Sequence, residues 1–259
     1  MLSPLAARKA EKLGYKNVKV YHAGLPDWRK AGHLVVSNNA AIEEYNKLDA
    51  SYILIDTRSA DLIAKGHIPK AVSLPKDGID ALKDQFPKFK GAAIILYGDD
   101  GVSEETKKAF HAIAGWGYNQ VSILDKGFKG WQSAGKTVST EAAATTINYV
   151  RKLLPGEVEL SVFKGFLEKP SPDTIILDVR NVAEVNEGKL PNTVNIPLDE
   201  LEVRISEVPK DKRIIVHCAT GARAEMAYTI LKNAGYNTGY LRATLSFDKD
   251  KEGAYTLEE

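Results

Sequence analysis

A spaced set of six residues occurs twice in this chain of 259 residues, the second copy 122 positions after the first. Each copy begins with an Asp-x-Arg triplet directly after an apolar run that is typical of a buried strand. The recurring residues are Asp56, Arg58, Gly66, Pro69, Val72 and Pro75, repeated as Asp178, Arg180, Gly188, Pro191, Val194 and Pro197. The repeat predicts two tandem modules of one fold. Because strands alternate with helices over short connections, each module is predicted to be α/β, a parallel sheet flanked by helices on both faces.

The single cysteine of the chain, Cys218, lies at a predicted junction of strand and helix in the second copy. Backbone N–H groups of such a loop converge with the positive end of the helix, which favours a bound anion and a thiolate. A lone cysteine after an apolar strand is more often a small buried hydrophobe. Arg223, in the first turn of the predicted helix, adds a fixed positive charge and favours the other interpretation, a nucleophile at neutral pH.

The six-residue segment from Cys218 to Arg223 resembles the active-site loop of the rhodanese-type sulfurtransferases. The Asp-x-Arg triplets and the Gly-His-Ile-Pro sequence at 66–69 are similar to a second hallmark of that family. The resemblance implies tandem rhodanese-like domains that move sulfane sulfur from thiosulfate, or another small anionic donor, through a Cys218 persulfide. The implied acceptor is cyanide, a thiol or a protein, and the resemblance implies no cofactor and no metal.

Roles for individual residues follow from the same resemblance. Cys218 is implied to be the nucleophile, and Arg223 is implied to hold the loop and attract anions. The loop residues between them are implied to bind substrate: Ala219, Thr220, Gly221 and Ala222. Three further residues are implied to support the loop rather than to carry the chemistry: Asp178, Arg180 and His217.

Two other functions stay open at this point. Phosphate-ester or arsenate chemistry occurs on the same fold with a loop one residue longer, and the four residues between Cys218 and Arg223 favour sulfur instead. A persulfide relay or scaffold protein would have the same loop and would use the cysteine-less module as a docking surface. Turnover of thiosulfate without a partner protein distinguishes an enzyme from a relay.

The first full module has no thiol where the second has Cys218. Aligned by the preceding strand, Gly98 takes that position, whereas alignment by the following helix shifts the register by two and predicts loops of different length. Four carboxylates near this loop would repel a thiolate and an anionic substrate: Asp99, Asp100, Glu104 and Glu105. We expect this module to be inactive.

The start of the chain repeats a later part of it at a spacing of 103 positions. The repeated residues include Gly24 and Trp28, which recur as Gly127 and Trp131. The pattern predicts a helix, a strand and a short helix, at residues 3–14, 18–21 and 27–30. Because the resemblance makes such an element the second half of a module, we expect either a longer N-terminus or a half-module that packs on the next domain or on another chain.

The predicted domains are a half-module at 1–34, a cysteine-less domain at 35–138, a linker at 139–156 and a catalytic domain at 157–259. The catalytic domain ends without the Gly-x-x-x-Trp element that ends the domain before it. This difference leaves one wall of its pocket in doubt.

Charge and hydropathy restrict the partners and the compartment. Lys and Arg total 35 and Asp and Glu total 34, so no excess of positive charge indicates nucleic acid or a membrane surface. One cysteine cannot form an internal disulfide. The sequence contains neither an apolar run of about 18 residues nor the apolar core of a signal peptide. We expect a soluble protein, cytoplasmic as the sequence stands and periplasmic if an upstream segment carries an export signal.

Overall fold

The structure is a computed structural model that describes residues 6–7, 10–21, 24–248, 251 and 253–258. It contains two compact units, Leu25–Lys152 and Leu153–Glu259, the second grouped with Met1–Gly24. Among the described residues, no helix combines the length and the apolar character needed to cross a membrane.

The first unit is built on a sheet of five parallel strands. The strands are β1 (Val36–Ser37), β2 (Tyr52–Asp56), β3 (Val72–Ser73), β4 (Ala93–Tyr97) and β5 (Gln120–Leu124). The helices are α1 (Gly24–Lys30), α2 (Asn39–Lys47), α3 (Ala60–Ala64), α4 (Glu104–Gly115) and α5 (Gly127–Ser133), with a 3-10 helix at Ile79–Gln85. Across the sheet the order is β1-β5-β4-β2-β3, and every pairing is parallel.

The second unit repeats this sheet and adds a hairpin. The sheet strands are β6 (Glu157–Val158), β7 (Thr174–Asp178), β8 (Thr193–Asn195), β9 (Arg213–His217) and β10 (Thr238–Leu241), and the hairpin strands are β11 (Thr244–Phe247) and β12 (Tyr255–Glu258). The helices are α6 (Leu160–Glu168), α7 (Val182–Glu187) and α8 (Ala222–Asn233), with a 3-10 helix at Ile205–Glu207. The order β6-β10-β9-β7-β8 matches that of the first sheet, again with parallel pairs, and β11 pairs with β12 antiparallel.

The central strands are apolar without interruption because helices cover both faces of each sheet. In β9, Ile214 and Val216 pack into one core and Ile215 packs into the other. Strand β4 of the first unit divides its side chains between two cores in the same way. In a strand buried on both faces, apolar side chains point to either side of the sheet. These runs therefore lack the alternation of polar and apolar residues that a half-exposed strand shows. The prediction of two tandem α/β modules is confirmed.

The hairpin of β11 and β12 lies at the end of the second unit. Leu245 and Leu257 of the two strands pack into the core that also contains Leu190, Ile215 and Leu241. Register pairs Leu245 with Leu257 directly. The hairpin is therefore part of the second unit's core.

Helices α1 and α5 have the same local structure, as their repeated sequences predict. Each has seven residues. The indole Nε1 of Trp28 donates to the carbonyl of Leu34 at 2.8 Å, and that of Trp131 donates to the carbonyl of Thr137 at 2.8 Å. The Arg29 side chain donates to the carbonyl of Asn119, so α1 is joined to the residue directly before β5 within the first unit. The interpretation of residues 1–34 as a half-module stays a prediction.

The predicted strand at Val18–Tyr21 is wrong, because these residues have no regular secondary structure. A strand forms where a neighbour exchanges backbone hydrogen bonds with it, and the two five-stranded sheets of the described residues do not include this segment. Of the predicted helix at 3–14, residues 6–7 and 10–12 are helical, and residues 3–5 and 8–9 lie outside the described residues.

Most of the segment predicted as a linker packs on the first unit. The backbone N–H of Ser73 donates to the carbonyl of Ala144 at 2.8 Å. Ile147 and Tyr149 are partly buried against the core of the first sheet. Because these apolar side chains leave water by lying on that core, the unit ends at Lys152 rather than at residue 138.

We predict that Leu257→Ala lowers the free energy of unfolding of the second unit by about 2–4 kcal/mol, because it removes a buried side chain and leaves a cavity. Val203→Ala is the matched control, since Val203 is 86% exposed. Urea unfolding followed by circular dichroism measures both. A Leu257 variant as stable as the Val203 variant would show that the hairpin contributes nothing to the core.

Candidate active site

Cys218 directly follows β9, at the carboxyl edge of the second sheet. The side chain is buried, with 3% exposed, and the backbone N–H of Gly221 donates to its Sγ at 3.2 Å. Gly221 has φ of +94°, and this left-handed conformation turns the chain so that its amide faces the sulfur. The first helical bond of α8 runs from the N–H of Glu225 to the carbonyl of Gly221. The N–H groups of the first turn before it have no partner within the helix, so the sulfur lies in a cradle of the kind that favours an anion.

Arg223 is held by a residue that the sequence patterns did not single out, Glu184. The two guanidinium Nη atoms donate to the two carboxylate oxygens at 2.5 and 2.6 Å. Burial alone would lower the pKa of Arg223, but the bonds to Glu184 and the charge of nearby Cys218 raise it instead. Burial opposes ionisation of Glu184, yet Arg223 lowers the pKa of this carboxyl below its usual value. Both groups are therefore charged at neutral pH.

Glu184 occupies its place because of how α7 begins. Asn181 is the N-cap, its side chain accepts from the N–H of Glu184, and the Glu184 carboxylate accepts from the N–H of Asn181. This reciprocal capping box could be predicted from the Asn-x-x-Glu spacing. Its contact with Arg223, 39 positions away, has no local signal in the sequence.

Asp178 and Arg180 form a buried ion pair beside the loop. Arg180 Nη2 donates to Asp178 Oδ2 at 2.6 Å, and Nε donates to both carboxylate oxygens. Arg180 also donates from Nη1 to the backbone carbonyl of Glu184 at 3.3 Å and from Nη2 to that of Gly188 at 2.9 Å. The pair therefore holds the first turn of α7 and the residue that follows the helix, and α7 presents Glu184 to Arg223.

His217 is fully buried next to this pair. Its Nε2 lies 3.6 Å from Asp178 Oδ2, and neither ring nitrogen has a hydrogen-bond partner among the described residues. Burial lowers the pKa of His217 to about 4, with Asp178 opposing that decrease and Arg180 adding to it. The ring is therefore neutral at pH 7, which does not favour a role as a proton donor.

Both units have the same sheet order and the same Asp-x-Arg ion pair, and the second unit carries a cysteine at the carboxyl edge of its sheet. The model of the Rhodanese-like domain family matches residues 39–134 and 160–245, more than half of the chain. The chain belongs to the rhodanese-like domain family. One matched segment lies within each of the two units described above.

Two curated relatives and one solved structure illustrate the similarity. A sulfurtransferase of Allochromatium vinosum is 34% identical over 64 residues, 25% of this chain and 60% of that protein, so this chain spans less than two thirds of it. The mitochondrial thiosulfate sulfurtransferase RDL2 of Saccharomyces cerevisiae is 29% identical over 133 residues, 46% of this chain and 89% of that protein. The crystal structure of a thiosulfate sulfurtransferase from Pseudomonas aeruginosa superposes with a TM-score of 0.36 and 19% identity, covering 100% of this chain and 57% of that one.

In the second rhodanese-like domain the hairpin supplies the wall that a helix supplies in the first. The N–H of Phe128, in α5, donates to the carbonyl of Gly98 at 2.9 Å, and the N–H of Leu245, in β11, donates to the carbonyl of Ala219 at 2.8 Å. Each wall also places a phenylalanine ring on the buried arginine. Phe128 lies 3.8 Å from the guanidinium of Arg58, and Phe247 lies 5.1 Å from that of Arg180. The hairpin therefore makes two of the contacts that the Gly-x-x-x-Trp element makes in the first domain.

In the first rhodanese-like domain, the loop that follows β4 contains an aspartate that pairs with basic side chains of the same domain. Parallel register pairs Asp56 with Tyr97 as it pairs Asp178 with His217, which places Gly98 at the position of Cys218. The connection to the next helix has six residues here and four in the second domain, so the predicted difference in loop length is confirmed. Asp99 forms an ion pair with Lys129, with Oδ2 2.8 Å from Nζ, and its Oδ1 lies 3.7 Å from Nη1 of Arg58.

We predict that Glu184→Gln lowers the free energy of unfolding of the second domain by about 1–3 kcal/mol, because the largely buried Arg223 loses its carboxylate partner. Glu207→Gln removes an equivalent charge from an exposed pair with Arg204 and is expected to leave the unfolding midpoint unchanged. Urea unfolding at pH 7 measures both. Equal unfolding midpoints for the two variants would contradict a stabilising role of the ion pair between Glu184 and Arg223.

His217 is expected to make the second domain sensitive to mild acid. The unfolded chain binds a proton at this ring below pH about 6.5, whereas the folded chain does so only near pH 4. Stability is therefore lost as the pH falls through this window, by up to about 3 kcal/mol from this group. His217→Tyr, the residue type found at Tyr97, removes that component. Urea midpoints between pH 7.5 and 4 test it, and an unchanged difference between the parent and the variant across that range would contradict it.

Proposed function

We propose that this protein is a sulfurtransferase that carries sulfane sulfur on Cys218. The observation that supports this most directly is the Gly221 amide, which donates to Cys218 Sγ at 3.2 Å at the N-terminus of α8. A donor aimed at Sγ stabilises the negative charge that this atom bears before it accepts sulfur and again after it has passed that sulfur on. Membership of the rhodanese-like domain family supports the same chemistry.

In the first half-reaction the Cys218 thiolate attacks the outer sulfur of thiosulfate. A bond forms between Sγ and that sulfur while the sulfur–sulfur bond of thiosulfate breaks, and sulfite leaves with the electron pair and two negative charges. The product is a Cys218 persulfide anion. The total charge is unchanged, and no proton needs to move, which agrees with a neutral His217 that takes no part in the chemistry.

In the second half-reaction cyanide or a thiolate attacks the outer sulfur of the persulfide. The bond to Sγ breaks, the Cys218 thiolate returns, and thiocyanate or a new persulfide leaves. The second half-reaction also needs no cofactor, because each step exchanges one nucleophile for another at sulfur.

The size of the loop favours sulfur over a tetrahedral oxyanion as the reacting group. Four residues separate Cys218 from Arg223, and the third residue after the cysteine, Gly221, already directs its amide at Sγ. An added residue would widen the cradle enough for a phosphate or arsenate group. The short loop instead provides donors for one sulfur atom beyond Sγ.

Arg223 acts in this proposal by holding the loop. Its charge is balanced by the two bonds to Glu184. Arg223 is the second residue of α8, directly after the loop, and Glu184 lies in α7. The charge of nearby Cys218 acts on this guanidinium as well, so Arg223 borders the reacting sulfur. Asp178 and Arg180 support the loop through α7 rather than through the reacting atoms.

We predict that the parent chain catalyses sulfur transfer from thiosulfate to cyanide and gains about 32 Da, one sulfur atom, when treated with thiosulfate alone. Cys218→Ser is expected to lose both the rate and the added mass because an alcohol does not form the persulfide. Colorimetric thiocyanate detection and intact mass spectrometry measure the two properties.

The combination of results separates the candidate functions. Added mass on the parent without turnover would favour a relay that needs a protein acceptor. Neither added mass nor turnover would overturn the assignment as a sulfurtransferase.

A further inference from the structure

The positive charge of Arg223, beside the cysteine loop, is offset by a negative charge of the protein itself. Its Nη1 and Nη2 atoms donate to the two carboxylate oxygens of Glu184 at 2.5 and 2.6 Å. The other arginine of the site, Arg180, pairs with Asp178 in the same way. Each pair has a net charge of zero, so neither compensates the negative charge that a donor brings to the Cys218 thiolate.

We propose that Glu184 determines which sulfur donors the site accepts, favouring donors with one negative charge over the doubly charged thiosulfate. The proposal rests on the proposed function, because it concerns the donor of that reaction. Thiosulfonates and organic persulfides belong to the singly charged class. Glu184 acts through Arg223 and through its own charge, and it takes no part in the bonds that form and break.

Arg223 places the Glu184 carboxylate near the reacting sulfur. The amide of Gly221 donates to Sγ at 3.2 Å, and Arg223 follows two residues later, in the first turn of α8. Burial opposes the charge of Arg223, whereas the bonds to Glu184 and the charge of Cys218 raise its pKa. One guanidinium therefore interacts with the carboxylate and with the cysteine, and the two negative groups lie on the same arginine.

Water screens the Glu184 charge only in part. The side chain of Glu184 is 30% exposed and that of Arg223 is 14% exposed. Burial opposes ionisation of Glu184, but Arg223 lowers its pKa, so the carboxylate keeps its charge at neutral pH. The repulsion between this charge and a donor is proportional to the charge of the donor. Thiosulfate is therefore repelled about twice as strongly as a singly charged donor of the same shape.

The capping box of α7 fixes the carboxylate and also provides a mild way to remove its charge. The Glu184 carboxylate accepts from the N–H of Asn181 at 3.1 Å, and the Asn181 side chain accepts from the N–H of Glu184 at 2.9 Å. Glutamine serves in such a box as well as glutamate does. Glu184→Gln therefore removes the charge and keeps the start of the helix.

The first domain has neither member of this ion pair. Glu184 is the third residue of α7, and the third residue of α3 in the first domain is Leu62. Arg223 is the second residue of α8, and the second residue of α4 is Glu105. The fold itself therefore does not require the pair. Both of its members occur in the domain that carries the thiol, as a role in selecting the donor requires.

Alkylation of the single cysteine tests the proposal without relying on sulfur transfer. Iodoacetate carries one negative charge and iodoacetamide carries none, and both react with the same Cys218 thiolate. The ratio of their rate constants therefore reports the charge beside the sulfur, and any change in the thiol pKa cancels. We expect Glu184→Gln to raise the ratio of iodoacetate to iodoacetamide about threefold.

Two further variants separate the charge of Glu184 from its structural contacts. Glu184→Asp disturbs the packing but keeps the charge, so its ratio should stay close to that of the parent. Glu187→Gln removes an equal charge from the exposed last residue of the same helix and should leave the ratio unchanged. A ratio that does not rise in Glu184→Gln, or that rises equally in Glu184→Asp, would overturn the proposal.

Steady-state kinetics with two donors of similar shape test the preference in the reaction. Methanethiosulfonate has a methyl group in place of one charged oxygen of thiosulfate and carries one negative charge. The Cys218 thiolate attacks its outer sulfur, the sulfur–sulfur bond breaks, and methanesulfinate leaves with the electron pair. Charge is conserved, because a thiolate and a thiosulfonate give a persulfide anion and a sulfinate.

Glu184→Gln is expected to raise kcat/KM for thiosulfate about tenfold, mainly through a lower KM, and that for methanethiosulfonate only about threefold. Cyanide is the acceptor in both assays. The same factor for both donors, or a loss of rate with both, would show a purely structural role and overturn the proposal. If the parent forms no persulfide with either donor, the proposed function fails, and the alkylation ratio still decides whether Glu184 sets the charge at Cys218.

Discussion

The buried ion pair between Asp178 and Arg180 determines where the cysteine loop lies. Removing two charges from water costs several kcal/mol per ion, and further bonds from the arginine to backbone carbonyls help the pair to offset that cost. Those bonds go to the carbonyl of Glu184 in the first turn of α7 and to that of Gly188 directly after it, and α7 in turn presents Glu184 to Arg223. The first turn of α8 is thus fixed by an Asp-x-Arg triplet on another strand. The same pair recurs in the first domain as Asp56 and Arg58, beside a loop that carries no cysteine.

The features that could be predicted from the sequence are those whose signal is local. The Asp-x-Arg triplets, the cysteine before a helix and the apolar strands depend on residues a few positions apart, and each was found in its predicted place. Glu184 was missed because its function arises from the approach of α7 to α8, which no short pattern encodes. The segment Val18–Tyr21 has the composition of a strand, but whether a strand forms depends on a neighbouring strand, and that is a tertiary property.

Comparison of the two domains shows which parts of the fold are required and which are exchangeable. In each, an aromatic ring lies on the buried arginine and a backbone N–H binds the loop, yet a helix provides both in the first domain and a strand provides both in the second. A ring on a guanidinium contributes favourable electrostatics and excludes water from the ion pair. What the fold requires is an aromatic ring that covers the buried ion pair. Because Phe247 provides that ring from a strand, a search for the Gly-x-x-x-Trp pattern could not find it.

The exchange of a helix for a hairpin changes the dynamics of the wall. A helix satisfies its backbone hydrogen bonds within itself, whereas β11 takes its partners from β12, eight or more residues later in the chain. A two-stranded ribbon has little stability of its own and depends on side chains such as Leu257 that anchor it. The wall can therefore separate from the sheet in a local opening that leaves the five parallel strands paired. Amide hydrogen exchange at Leu245, whose N–H binds the carbonyl of Ala219, would occur through this opening and report how often the hairpin leaves the cysteine loop.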